Sequence, residues 1–456
     1  MKHRSTRRRR LRAVALLAVP ALFLAACGDD DDEGGADTTQ ASAGTTAGGA
    51  TTSGSGGGAG TSVDTSANEA SDTGVSEDAY TIGVITSETG VAAPNNTGML
   101  EAIEARIQLQ NDQGGVYGRE IRLEHADDAS TPTQNLAAAQ TLVGQRDIFV
   151  LINQTPFVFG SFRYTTEEGI PVLGGGYDGP EWFQAGNENM ISISGHSSPN
   201  RPTYTNLPQF IKDRGGERVA GLGYGQSPSS SDAARKFHDL AVPAVGLTPA
   251  YLNISIPFGS VDVGAIALDM RNNDVDSMYM AMNNNTNFAI ITAAKQAGVD
   301  VRVAISATGY GQTLLDQPTA VQTAQGTYFT TVGTPAEADT PAVRAMRDAF
   351  EEYADFTGIP GFDWYQGWIT ADLLIKGLEA AGQNPTRQDF IDGLHDMGSY
   401  DGAGLYQEPV DISLEGFGKA PERICGYFVV LEGNEFKPVP ESGEAVCGDL
   451  VPGSDQ

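Results

Sequence analysis

Positive charge is what this 456-residue chain has least of: 28 Lys and Arg stand against 58 Asp and Glu, a formal net charge of −30. So acidic a surface repels a phosphate backbone unless a dense basic patch offsets it, and none occurs beyond the first dozen residues, which excludes nucleic acid as a partner. Cysteine is also scarce. Cys27, Cys425 and Cys447 are too few for a disulfide scaffold and lack the close spacing of a zinc knuckle. The five histidines are widely scattered, and neither His-Glu-x-x-His nor Gly-x-Ser-x-Gly is found. Gly221-Leu-Gly223-Tyr-Gly225 lacks the third glycine of a dinucleotide loop, and Gly418-Lys419 is followed by Ala420 where a phosphate loop needs a hydroxyl. These absences argue against an enzyme and against a cofactor or metal.

Long apolar runs are missing as well. Residues 13–26 are uncharged and rich in Ala, Leu and Val, but shorter than the roughly 20 residues a membrane-spanning helix needs. Seven cations precede them, so 1–26 reads as a signal peptide. The run closes on Leu24-Ala25-Ala26-Cys27, which resembles a bacterial lipobox and implies lipidation of Cys27 at the mature N-terminus; an ordinary export signal with an incidental cysteine is the alternative. Residues 28–78 then lack aromatics, Lys and Arg, and hold nothing apolar bulkier than Ala except Val63 and Val75. That composition cannot offset chain entropy, so 27–78 is expected to be a structureless tether.

What is present begins at Tyr80. Apolar runs suited to buried strands alternate with helical spacing: strand at 81–85, helix at 97–111, strand at 121–124, helix at 135–145, strands at 148–152 and 170–173. Beyond Pro199 the alternation restarts, with strands at 218–222, 251–256, 277–282 and 301–305 and helices at 232–242, 263–271 and 288–297. Two successive βα arrays predict two doubly wound parallel sheets, with ligands gathering at the strand carboxyl ends. Helices at 341–356, 363–381 and 386–397 follow, and then a hairpin at 426–439. Cys425 and Cys447, flanking that hairpin, are expected to pair in an oxidising exterior.

The run Thr81-Ile-Gly-Val-Ile, Gly90, the helix leading to Asn111-Asp-Gln-Gly114-Gly115-Val-Tyr-Gly118-Arg119, and Asp127-Asp128 resembles the start of branched-chain amino-acid (Leu/Ile/Val-binding) ABC-transporter solute-binding proteins. The resemblance covers most of 80–440. It implies a type I periplasmic-binding fold, with lobe 1 formed by 79–198 plus 333–420 and lobe 2 by 199–332 plus 421–450, joined by three crossings. A monomer anchored to the outer face of the membrane would enclose a small solute between the lobes and deliver it to ABC permease subunits. A same-fold sensor of a membrane signalling partner, or an extracellular α/β enzyme, are the alternatives. Carried across residue by residue, the resemblance puts Thr155 and the turn Gly176-Tyr177-Asp178 on one wall of the cleft. Asn283 and Tyr310 fall on the other, with Asn95 and Gln226 on the rim. Trp364 joins them from its own position, at the start of a helix where an aromatic can face a cleft. Where the family holds the ligand ammonium with an acid, this chain has Ala307, so ordinary branched-chain amino acids are expected to bind weakly, while Asp178, standing where the family has a neutral hydroxyl, is expected to oppose a carboxylate and accept from a neutral polar or cationic solute.

Overall fold

The computed structural model describes residues 64–455 except Tyr177, Asp178 and Ser260. The expected signal peptide, the Cys27 lipidation site, most of the expected tether and two of the expected ligand residues therefore lie outside the described residues.

Strands β1 (Ala79–Thr86), β2 (Glu120–Asp127), β3 (Val150–Gln154), β4 (Val172–Gly174) and β5 (Met190–Ser192) form a five-stranded sheet ordered β2-β1-β3-β4-β5, every pair parallel. Alternation along β1 and β3 explains its placement. Tyr80, Ile82, Val84, Val150 and Ile152 enter one core, whereas Ile85 and Leu151 enter another on the opposite face. A sheet buried on both faces requires helices on both. A second, eight-stranded sheet contains β6 (Arg218–Tyr224), β7 (Thr248–Ile256), β8 (Ser277–Ala281), β9 (Val303–Ser306) and β10 (Tyr328–Thr331), parallel in the order β10-β9-β8-β6-β7. The two-residue strands β11 (Ser399–Tyr400) and β12 (Val410–Asp411) pair separately. The chain then returns to the second sheet: β13 (Arg423–Glu432) joins β10 antiparallel, with β14 (Glu435–Pro438) and β15 (Val446–Asp449) antiparallel to β13. Cys425 and Cys447 face each other in the β13–β15 register and form a disulfide.

Between β10 and β13 lie three helices, Pro341–Ala354, Phe362–Ala380 and Arg387–Asp396. The first two pack on the helix Met99–Asp112, which follows β1, and the third packs on Phe362–Ala380. The chain thus passes from first sheet to second after β5, back after β10, and across again before β13. Close contact of Met99–Asp112 with Phe362–Ala380 depends on Gly367, where a Cβ would stand 2.4 Å from the Met99 carbonyl oxygen. Arg106 and Asp372 close the same interface with a 2.9 Å ion pair, the guanidinium lying over the Trp368 ring.

One expectation needs correction. Residues 64–78, read as the end of a structureless tether, are ordered against the body. They supply little apolar surface beyond Val75, so hydrogen bonds hold them. Arg119 is fully buried and donates to the backbone carbonyls of Ser76 (2.6 Å), Glu69 (2.9 Å) and Gln383, and to the Asn384 amide oxygen (2.9 Å). The Gly114-Gly115-x-x-Gly118-Arg119 turn therefore delivers a guanidinium whose five donors need the strap's carbonyls, and a polar segment folds because the body presents charge to it.

Candidate functional site

Strands of both sheets end at one cavity of about 370 Å³. From the first sheet come the loop Val91–Thr97 after β1 and Pro156-Phe157 after β3; from the second come Tyr224 and Ser227–Ser230 at the end of β6, Phe258 after β7, Asn283-Asn284 after β8 and Tyr310–Leu314 after β9. The connecting segment closes one side with Phe356, Ile359 and Phe362–Trp364. This is the position at strand carboxyl ends where α/β folds bind ligands, and the mix of aromatic walls with a few polar groups suits a small organic molecule.

Three of the expected residues meet here. Asn283 lines the cavity while its side-chain oxygen caps the helix Asn284–Gln296 by accepting from the Thr286 N–H at 3.0 Å. Tyr310 lines it with its ring; its hydroxyl donates to Glu337 Oε2 at 2.8 Å and accepts from the Ala336 N–H at 3.0 Å. Burial pushes the Tyr310 phenol well above its usual range, and burial likewise raises the Glu337 carboxyl. Trp364 lines the cavity and stacks on Phe356, ring centroids 4.1 Å apart. Its place is fixed by Gly98, which has φ +86° and whose added Cβ would lie 2.1 Å from the indole nitrogen.

Thr155, Gly176 and Gln226 sit elsewhere. Thr155 is 1% exposed, behind the Pro156-Phe157 wall. Its hydroxyl donates to Asp128 Oδ2 and accepts from the Phe157 N–H at 3.1 Å, while Ser87 donates to the other Asp128 oxygen at 2.7 Å. With its one hydrogen committed to Asp128, Thr155 has none for a ligand. Gly176, at φ +70°, packs against Ser192 rather than lining the cavity. Asn95 ends the single 3₁₀ turn Ala93–Asn95, whose neighbours Pro94 and Asn96 line it. Gln226 is exposed and accepts from the Phe258 N–H at 3.2 Å, which holds that loop against the cavity. Tyr177 and Asp178 lie outside the described residues.

Sequence reading passed over several wall residues. Phe258 follows a strand in a loop without any motif, and Arg201 lies on the crossing between sheets. Asp363 stands in the first turn of the helix Phe362–Ala380. Its Oδ1 is buried without a hydrogen-bond partner in the cavity wall, and burial raises its carboxyl well above the usual carboxylate range. The signal that could have found it is its place between two aromatics at a helix start.

A parallel sheet and a mixed sheet linked by three crossings, with one cavity at the carboxyl ends of the parallel strands of both, define a two-lobed ligand receptor of the periplasmic-binding type I class. Residues 79–420 match the family model described as periplasmic binding protein, and the chain belongs to that family of solute-binding proteins. A curated relative, Leu/Ile/Val-binding protein homolog 3 of Brucella melitensis, is 23% identical over 349 residues, 74% of this chain and 89% of the relative. Among solved structures, a fatty acid ABC transporter substrate-binding protein from Thermomonospora curvata superposes with a TM-score of 0.65 at 16% identity, covering 84% of this chain and 95% of the other. A solute-binding protein of an ABC transporter from R. palustris, in complex with benzoate, superposes with a TM-score of 0.64 at 16% identity, covering 82% and 98%.

Proposed function

We propose that the protein captures a small solute with an apolar body between two lobes, 79–198 plus 333–420 and 199–332 plus 421–450, and hands it as a monomer to an ABC importer. The observation that carries this reading is the cavity of about 370 Å³ whose walls come from both sheets and from the segment joining them. Lipidation of Cys27 would keep the body at the outer face of the membrane, with the residues up to about 63 as its tether. A fatty acid and a benzoate receptor share the fold, so the fold leaves ligand chemistry to the wall residues. The commitment of Thr155 to Asp128 leaves that hydroxyl no hydrogen for an amino-acid carboxylate, which supports weak leucine binding.

Native mass spectrometry of the exported protein, before and after mild denaturation and refolding, tests the reading. A small molecule retained in the first sample and lost in the second is expected, and its mass names the solute. A receptor role is contradicted if no compound from a transport-substrate library shifts the melting temperature at millimolar concentration. Substituting Cys27→Ala should move the protein from membrane to soluble fractions; unchanged fractionation would remove the anchor.

A further inference from the structure

We propose that Asp363 is the counter-charge for an organic cation, an amine or quaternary ammonium with an apolar or aromatic body, whose nitrogen sits at the Asp363 carboxyl and whose body rests on the aromatic walls of the same cavity. This rests on the solute-binding reading of that cavity and names its ligand class. Three observations point the same way. First, Asp363 lines the cavity from the start of the helix Phe362–Ala380, with Oδ1 buried and lacking any hydrogen-bond partner, so the wall offers an unmet acceptor. A ligand that brings a donor or positive charge meets that demand, whereas a carboxylate would face a second acid.

Second, the walls around this carboxyl are aromatic. Phe362 and Trp364 flank it in sequence and both line the cavity, Phe356 stacks on Trp364, and across the cleft Tyr224 packs on Phe258 with centroids 4.2 Å apart. Aromatic faces carry negative quadrupole density, and a carboxylate among such faces is the chemistry that recognises substituted ammonium groups. Third, 58 acids against 28 cations set a negative field over the molecule, which draws cations into a low-dielectric cleft. Arg201 also lines the cavity, but its charge acts on Glu181, Lys236 and Tyr279, and the raised Asp363 carboxyl has desolvation as its leading cause with no cation among the others.

Burial raises the Asp363 carboxyl, so a cation bound there competes with its proton, and cation binding is coupled to proton release where the two overlap. The titratable groups facing it are Tyr224 and Tyr310, both raised by burial and neutral near pH 7, and Arg201; Glu337 stands behind Tyr310. Calorimetric titration of the exported protein with phenethylamine and benzyltrimethylammonium, against 2-phenylethanol, benzoate and leucine, tests the proposal between pH 5 and 8. We expect both cations to bind at least about tenfold tighter than 2-phenylethanol, with affinity rising by up to about tenfold per pH unit and then levelling. Asp363→Asn should remove the preference and the slope, while Glu337→Gln should keep both. Should Asp363→Asn fail to fold, the pH slope and the Glu337→Gln control decide the matter. Cations binding no better than 2-phenylethanol, or affinity falling as pH rises, would overturn the proposal. Tight benzoate or leucine binding in the same series would overturn it too, yet leave the receptor reading standing. Cation affinity unchanged in Ala233→Trp, which fills the cavity, would put binding elsewhere and sink both.

Discussion

Single side chains in this protein do work that their residue type alone does not announce. Thr155 and Asp363 make the contrast. The first, a hydroxyl residue at a position where the family resemblance puts a ligand contact, spends its hydrogen on Asp128; the second, in the first turn of a helix, keeps a carboxyl oxygen unpartnered in the cavity. Burial raises the folded-state pKa of Asp363 above its unfolded value. The folded protein therefore binds the proton more tightly, so the group's stabilising contribution is whole below the ordinary aspartate range and is lost as pH rises through the raised value. Asn at this position does not titrate. Ligand-free Asp363→Asn should match the wild type in acid and become more stable than it as pH rises toward 7, by on the order of 1 kcal/mol. Denaturant melts at pH 4.5 and 7 check this, and a difference independent of pH would contradict it. Arg119 shows the reverse case, a charge spent wholly on structure. Arg119→Lys keeps the charge but loses the fork that reaches four acceptors, and should cost about 2 kcal/mol and expose 64–76 to proteolysis. Intact-mass analysis after limited digestion would show cleavage in that segment, and a resistant variant would mean that other contacts hold it.

At the scale of elements, periodicity carried most of the fold. The expected strand at 81–85 is β1, the helix at 341–356 is Pro341–Ala354, and the hairpin at 426–439 is β13-β14, each shifted by only a few residues. These stretches have their apolar residues at a period that burial on both sheet faces or one helix stripe demands. Elements without such a period escaped: β5 is three residues long, β10 four, and the helix Asn206–Asp213 contains Pro208. The site was legible only in part, because its residues stand on loops whose sequence carries no periodicity. Asn283 and Tyr310 are placed by the family resemblance, and Trp364 by its position at a helix start. Phe258 and Asp363 needed the fold to bring β7 and the segment 356–364 to one cavity. The 64–78 strap was misread because composition measures only what a segment can bury by itself, whereas Arg119 supplies the partner from outside. The Cys425–Cys447 disulfide ties β15 to β13 across a sequence separation of 22. Replacing both cysteines with serine should cost roughly 3 kcal/mol by the chain-entropy estimate, seen as a lower denaturant midpoint. A midpoint shift that vanishes when the wild type is melted under reductant would confirm the bond as its source, and no shift at all would mean that the β13–β15 pairing holds without it.

For the whole molecule, the decisive relation is between the two sheets and the loops that join them beside the cavity. After β9, the Gln312 N–H donates to the Ile359 carbonyl at 2.8 Å and the Ile359 N–H donates to the Gln312 side-chain oxygen at 3.2 Å. Next to them, a Cβ on Gly311 would stand 2.7 Å from the Gly361 Cα. The second sheet is thereby stitched to the segment 359–361 at one edge of the cavity, and among the described residues no such pair of hydrogen bonds joins the loop Val91–Thr97 to the Phe258 loop at the opposite mouth. A hinge needs such an asymmetry: one edge that holds while the other opens. A solute touching both walls favours the closed arrangement by the contacts it makes only there, and no more than that. Small-angle scattering with the bound solute should therefore give a smaller radius of gyration than without it, and an unchanged profile at saturation would mean a receptor closed beforehand. Gln312→Ala removes one of the two hinge bonds, worth about 1 kcal/mol, and leaves every wall aromatic in place. Its expected signature is a larger radius of gyration in the free protein with a solute affinity weakened about fivefold, since binding must then order an edge that the wild type already holds. Equal radii in the free wild type and variant would move the hinge away from this edge.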